Sequence, residues 1–145
     1  RGSATRGNSV FTSSFKSNGK GKKCLIEMEY KGQIQRFQLY KDEHRLGRDP
    51  NWSDFDLPSS WEVISRHHAI LQKEGDDYRI FDGDKQVSSR NGLWINDDYR
   101  VDPKEGYLLN NGDRLKIGQD ASEQILLTYY NPNSEQANLK TTMAN

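Results

Sequence analysis

An all-β fold, a sandwich or barrel with a flexible arm at either end, is what this sequence predicts, on three observations. Apolar residues alternate with polar ones in short runs, as on strands buried on one face. Turn signals punctuate those runs at short intervals. And 39 of the 47 hydrophobic residues among 145 fall between residues 24 and 130, a usual length for a single core.

The alternation begins with Ile26, Met28 and Tyr30 against Glu27 and Glu29, and continues with Phe37 and Leu39 about Gln38. Ala69-Ile70-Leu71 reads as a further apolar strand, Tyr78 and Ile80 flank Arg79, and Leu93-Trp94-Ile95 forms an apolar run in which Trp94 is expected to be buried. From Gln124 to Tyr130, Ile125, Leu127 and Tyr129 share one face. Lys31-Gly32, Glu74-Gly75-Asp76-Asp77, Asp82-Gly83-Asp84, Asn91-Gly92 and Asn111-Gly112-Asp113 supply the turns. Many short strands with frequent turns favour a sandwich or barrel. Ser59-Ser60-Trp61-Glu62 has the spacing of a capping box, but the run behind it supports no more than a short helical turn.

Charge divides the chain. Residues 1–23 form a basic, Ser/Gly/Asn-rich arm with six cations and no acid, too poor in apolar surface to repay ordering. The remainder carries 15 basic and 21 acidic residues. Residues 131–145, from Asn131-Pro132-Asn133, read as a flexible tail, which leaves 24–130 as the domain. Because it opens on Arg1, the chain reads as a piece of a longer protein or as carrying a cloning remnant. One cysteine, Cys24, excludes an intrachain disulfide and any multi-cysteine zinc module; a half-buried strand position is its default. With no apolar run near the roughly 18 residues of a membrane span, a cytoplasmic location is expected, or a nuclear one in a eukaryote.

Three polar clusters do not belong to a plain sandwich. In Leu46-Gly47-Arg48 an arginine leaves a strand after glycine, placed to offer a guanidinium fork from a loop. In Ser65-Arg66-His67-His68 a hydroxyl and a second guanidinium precede an apolar strand. His67 and His68 are neighbours that point to opposite faces, so they do not share a metal, and His68 is expected to brace a loop by hydrogen bonds. Ser88-Ser89-Arg90-Asn91-Gly92 ends in the Asn-Gly of a tight hairpin, or in an amide that can grip an extended peptide.

Taken in order, Gly47-Arg48, Ser65-Arg66-His67-His68, Ser89-Arg90-Asn91-Gly92 with Asn96, and Asn111-Gly112-Asp113-Arg114-Leu115-Lys116-Ile117-Gly118 resemble the pattern of the forkhead-associated (FHA) domain. The resemblance covers residues 46–118. It implies a two-sheet β-sandwich that binds phosphothreonine peptides through loops at one end, as an interaction module in signalling. Arg48 and Ser65 then match phosphate ligands, and Arg66 matches a position that often adds a phosphate contact. Asn91 matches the residue that grips the peptide main chain, and Arg90 a second-rank contact. Gly47, His68, Gly92 and Asn96 match architectural positions. Leu93, where threonine is common, and Asp97-Asp98 after Asn96 depart from the pattern.

The implied partner is a phosphothreonine-containing protein or peptide, with no cofactor, metal, nucleic acid or membrane insertion, and a monomeric domain. An internal ligand arises if Thr5, Thr12, Thr141 or Thr142 is phosphorylated. Against catalysis, no Gly-x-Ser-x-Gly elbow accompanies Ser65 and His68. A phosphorylation-independent scaffold and a carbohydrate-binding sandwich using Trp52, Trp61 and Trp94 are the competing readings. The acidic domain and the sparse arginines of the arm argue against nucleic acid.

Overall fold

The computed structural model describes residues 23–133. The arm before Lys23 and the chain from residue 134, with Thr5, Thr12, Thr141 and Thr142, lie outside the described residues. Strands β1 (Cys24–Tyr30) and β2 (Gln33–Leu39) pair through seven residues without a bulge. Lys31 and Gly32 join them with φ of 49° and 83°, the two left-handed residues that a tight hairpin turn needs to match strand twist. Then come β3 (Glu43–Leu46), β4 (Ala69–Glu74), β5 (Asp77–Asp82), β6 (Leu93–Ile95), β7 (Tyr99–Arg100), β8 (Tyr107–Leu108), β9 (Arg114–Ile117) and β10 (Ile125–Tyr130).

The strands form two antiparallel sheets, β2-β1-β10-β9-β6-β7 and β3-β4-β5-β8. The period-two pattern has the expected outcome: Ile26, Met28, Ile125, Leu127, Leu115, Ile117 and Leu93 bury one face, and Leu46, Leu71 and Ile80 meet them from the smaller sheet. Asn111-Gly112 joins β8 to β9, which lie in different sheets, so this turn is a crossover and not a hairpin.

Register decides where the loops gather. Leu46 pairs with Ala69, and Ala69 with Asp82. The chain leaving β3, entering β4 and leaving β5 therefore sits at one end of the smaller sheet. The segment 83–92 then crosses to β6, where Leu93 pairs with Ile117, and Gly118 N–H donates to the Gly92 carbonyl at 3.4 Å. Three separate stretches of sequence thus meet at one rim.

Several expectations need correction. The capping-box stretch is not among them, since it makes only the short turns expected of it: Trp61 N–H donates to Pro58 O and Ile64 N–H to Trp61 O, two tight turns that bury the Trp61 ring. Cys24 is buried, not half-buried. Asn131, expected as the start of a flexible tail, is fully buried: its side-chain amide donates to Asp76 O and Asp77 Oδ1, and its N–H to Asn111 Oδ1. Trp94 is only half-buried, because its outward face lies on the larger sheet's uncovered side.

Candidate functional site

Beyond β3 the backbone continues a ladder against the chain entering β4. His68 N–H donates to Leu46 O at 2.9 Å, Arg48 N–H to Ser65 O at 3.1 Å and Asp49 N–H to Arg66 O at 3.2 Å. Gly47 sits in this ladder with no room for a side chain, since a Cβ there would lie 1.9 Å from the Arg66 carbonyl oxygen. The close approach carries Arg48 to Ser65. The half-buried Arg48 side chain is fixed by a short hydrogen bond from Nε to Ile64 O, and among the described residues no acceptor occupies its terminal nitrogens. Ser65 Oγ accepts the Arg90 N–H at 2.9 Å, which leaves its own proton to donate. The two principal expected phosphate ligands are therefore brought together, with the exposed Arg90 side chain beside them.

His68 braces this arrangement from inside. Its ring is fully buried; Nδ1 accepts the Ser65 N–H at 2.8 Å, so the proton resides on Nε2 and is directed at the Gly92 carbonyl, 3.2 Å away. Burial pushes its pKa down to about 4, so the ring is neutral near pH 7, as that pattern requires. The imidazole takes the serine's amide and not its hydroxyl, so the pair lacks the geometry of a nucleophile and its base. Gly92 has φ of 82°, and a Cβ there would fall 2.7 Å from Trp94 Nε1.

Asn91 donates its amide to Val63 O at 2.8 Å, while Trp94 Nε1 donates to Asn91 O at 2.8 Å. The residue is locked between the β3–β4 connection and β6, with its amide oxygen unclaimed among the described residues. Asn96 lies away from this cluster, in the β6–β7 turn, exposed and with φ of 57°; it shapes that turn.

Beneath the loops lies a polar network that the sequence did not single out. Asp82 is fully buried; Ser89 Oγ donates to its Oδ1 at 2.5 Å and accepts the Gly92 N–H at 2.9 Å. Arg100 Nη2 donates to Asp82 Oδ2 at 3.2 Å and to Ser89 O at 2.6 Å. Asp82 was hidden inside a turn signal, and Arg100 becomes adjacent only through the Trp94–Arg100 strand pairing. No local signal exposes it.

Arg66 takes another direction. It is exposed, and its Nη2 lies 3.2 Å from Asp49 Oδ2, the oxygen that also meets His67 Nε2 at 3.2 Å. His67 Nδ1 faces Asp84 Oδ2 at 3.3 Å, and Trp52 stacks on the imidazole with ring centroids 4.2 Å apart. Trp52 and Trp61 are thus loop anchors: one packs on His67, the other is buried with its N–H on Gln33 Oε1. Among the described residues no cluster of His, Cys, Asp and Glu is arranged to hold a metal, and no helix is long and apolar enough to cross a membrane.

A two-sheet sandwich thus brings a guanidinium and a hydroxyl from the two ends of the β3–β4 connection, and an amide from the β5–β6 connection, to one rim. The FHA domain profile matches residues 44–118, and the chain belongs to that family. The Slr1951 protein from Synechocystis superposes with a TM-score of 0.59 at 28% identity, over 74% of this chain and 96% of that one. The FHA domain of the CT664 protein from Chlamydia trachomatis gives 0.58 at 19% identity, over 76% and 98%. A structure described as showing phosphothreonine-dependent FHA domain interactions gives 0.52 at 22% identity, over 73% and 95%. A curated relative, an oxoglutarate dehydrogenase inhibitor from Corynebacterium jeikeium, is 34% identical over 84 residues, which are 58% of this chain. The chain spans about half the length of that relative, 51%.

Proposed function

We propose that this chain is a phosphothreonine-peptide recognition module that joins proteins in a phosphorylation-dependent way and has no catalytic role of its own. One observation carries the reading: Arg48 and Ser65, from the two ends of the β3–β4 connection, and Asn91, from the β5–β6 connection, stand at one rim, each held by hydrogen bonds that leave its outward donors or acceptor available. A phosphothreonine brings about −1.5 to −2 charges and strong acceptor oxygens. In this reading Arg48 and Ser65 ligate the phosphate, Arg66 and Arg90 add charge at its edge, and the Asn91 amide oxygen takes a main-chain N–H of the peptide. The described phosphothreonine dependence of an FHA relative, and the inhibitor role of the curated one, support an interaction module.

The test is a phosphothreonine-peptide library screened against the chain, with phosphoserine and unphosphorylated controls. Hydrogen bonds to a charged group contribute about 1.5–3 kcal/mol each. Arg48→Ala is therefore expected to weaken binding by about tenfold to a hundredfold or more while the unfolding transition stays close to wild type. Equal affinity of a folded Arg48→Ala variant, or indifference to phosphorylation, overturns the reading in favour of a phosphorylation-independent scaffold.

A further inference from the structure

His67 has no part in the binding just described, yet both of its ring nitrogens face carboxylates: Nε2 meets Asp49 Oδ2 and Nδ1 meets Asp84 Oδ2. A neutral imidazole donates from one nitrogen and accepts at the other, so only the imidazolium satisfies both contacts. The two carboxylates are themselves fixed. Asp49 Oδ1 accepts the Asn51 N–H, and Asp84 Oδ1 accepts the N–H groups of Gln86 and Val87. These backbone donors, first among the causes, hold both carboxyls below the usual range, so both are ionised. The ring therefore joins the loop that follows Arg48 to the turn that follows β5. The remaining charged groups at this cluster are Arg66, on the same Asp49 oxygen, and Arg45, whose guanidinium lies over Trp52, the ring stacked on His67.

We propose that His67 is a positioning residue: an imidazolium clamp between Asp49 and Asp84 that sets Arg66 and the Arg48 loop for an anion, so that capture weakens as the clamp loses its proton. Deprotonation turns one N–H into a lone pair facing a carboxylate, which frees one loop from the other. It also removes a positive charge two residues from Ser65 and leaves Asp49 compensated by Arg66 alone, beside an incoming dianion. The effect on peptides rests on the function proposed above; the clamp itself does not.

The experiment uses the whole chain and the tightest phosphothreonine peptide from the library. Affinity is measured from pH 5.5 to 8.5 for wild type, His67→Gln and His67→Lys, while the ring nitrogens are followed by long-range proton–nitrogen NMR. The phosphate of the free peptide titrates in the same range, but identically for every variant, so the ratio of affinities reports what the variants change at residue 67. The expected result is a doubly protonated ring at the acid end of the range. Wild type should then lose about three- to fivefold relative to His67→Gln as the ring deprotonates, and His67→Lys should show no such loss. Parallel profiles for wild type and His67→Gln, or a singly protonated ring throughout, overturn the clamp. If no phosphopeptide binds, the function reading fails, and the clamp is judged on the ring nitrogens and on the linked amide shifts of Asp49, Asn51, Trp52 and Ser53 and of residues 84–87. Those amides move with the ring if it joins the two loops, and stay still if it does not.

Discussion

At the scale of single residues, the site depends on the absence of one side chain. Gly47 is required for space and not for conformational freedom: its φ is unexceptional, but a Cβ would meet the Arg66 backbone at 1.9 Å. Gly112 is the opposite case, with φ of 89° and nothing within 4 Å of where an added methyl group would sit. Gly112→Ala is therefore expected to cost only the left-handed strain, about 1–2 kcal/mol, with phosphopeptide binding unchanged. Gly47→Ala must push the Ser65–Arg66 backbone away and is expected to cost about 3 kcal/mol or more and to abolish binding. Urea unfolding of the two variants beside a binding titration checks the contrast; equal losses at both positions would refute it.

At the scale of elements, the end of β5, the start of β6 and β7 are tied by one buried carboxylate. Asp82 has lost its water and relies on Ser89 Oγ and Arg100 Nη2. Removing a partner of a buried charge costs more than the pair contributes in place, because the remaining charge stays desolvated. Arg100→Leu is expected to destabilise the chain by about 3 kcal/mol, the low end of such values, since the arginine itself is 37% exposed and water can reach the vacated side. Asp82→Asn with Arg100→Leu should recover part of that loss. A double variant no more stable than Arg100→Leu alone would show that the carboxylate is not the strained group.

At the scale of the whole molecule, stability should fall with acid in a defined window. Native His68 resists protonation until about pH 4, whereas an unfolded imidazole takes its proton near pH 6.5. The unfolded chain binds that proton first, so the contribution of His68 is complete above about pH 6.5. It is lost progressively down to about pH 4, for a total of about 3 kcal/mol. His44 acts in the same direction: its ring is buried, Nε2 accepts the N–H groups of Tyr40 and Lys41, and burial pushes its pKa down. The lowered carboxyls, such as Asp49, Asp84 and Asp54, add their losses further down, as pH passes below their ordinary range. Denaturant midpoints between pH 7 and 4.5 should decline in wild type and decline less in His68→Gln. A wild-type midpoint that does not change across this window would contradict the assignment.

The amino-acid order by itself determined the strands that alternate, the tight turn at Lys31-Gly32 and the all-β class, because side-chain periodicity and turn chemistry act between near neighbours. The two-sheet form and the family came from the ordered motifs that resemble the FHA pattern. The same ordered motifs marked Arg48, Ser65 and Asn91. Which carboxylate each cation would meet was not legible. Arg66 turned to Asp49, Arg100 to Asp82 and His67 to two acids at once, through loop crossings and strand pairings that join residues 17 or 18 positions apart. Trp61 likewise took a place in the core that its loop position did not announce, and Asn131 left a tail-like composition for full burial and three hydrogen bonds. Only the tertiary structure decides such matters, because the strength of a polar contact depends on how much water its surroundings exclude, and that is a property of the packed sheets and not of any stretch of chain.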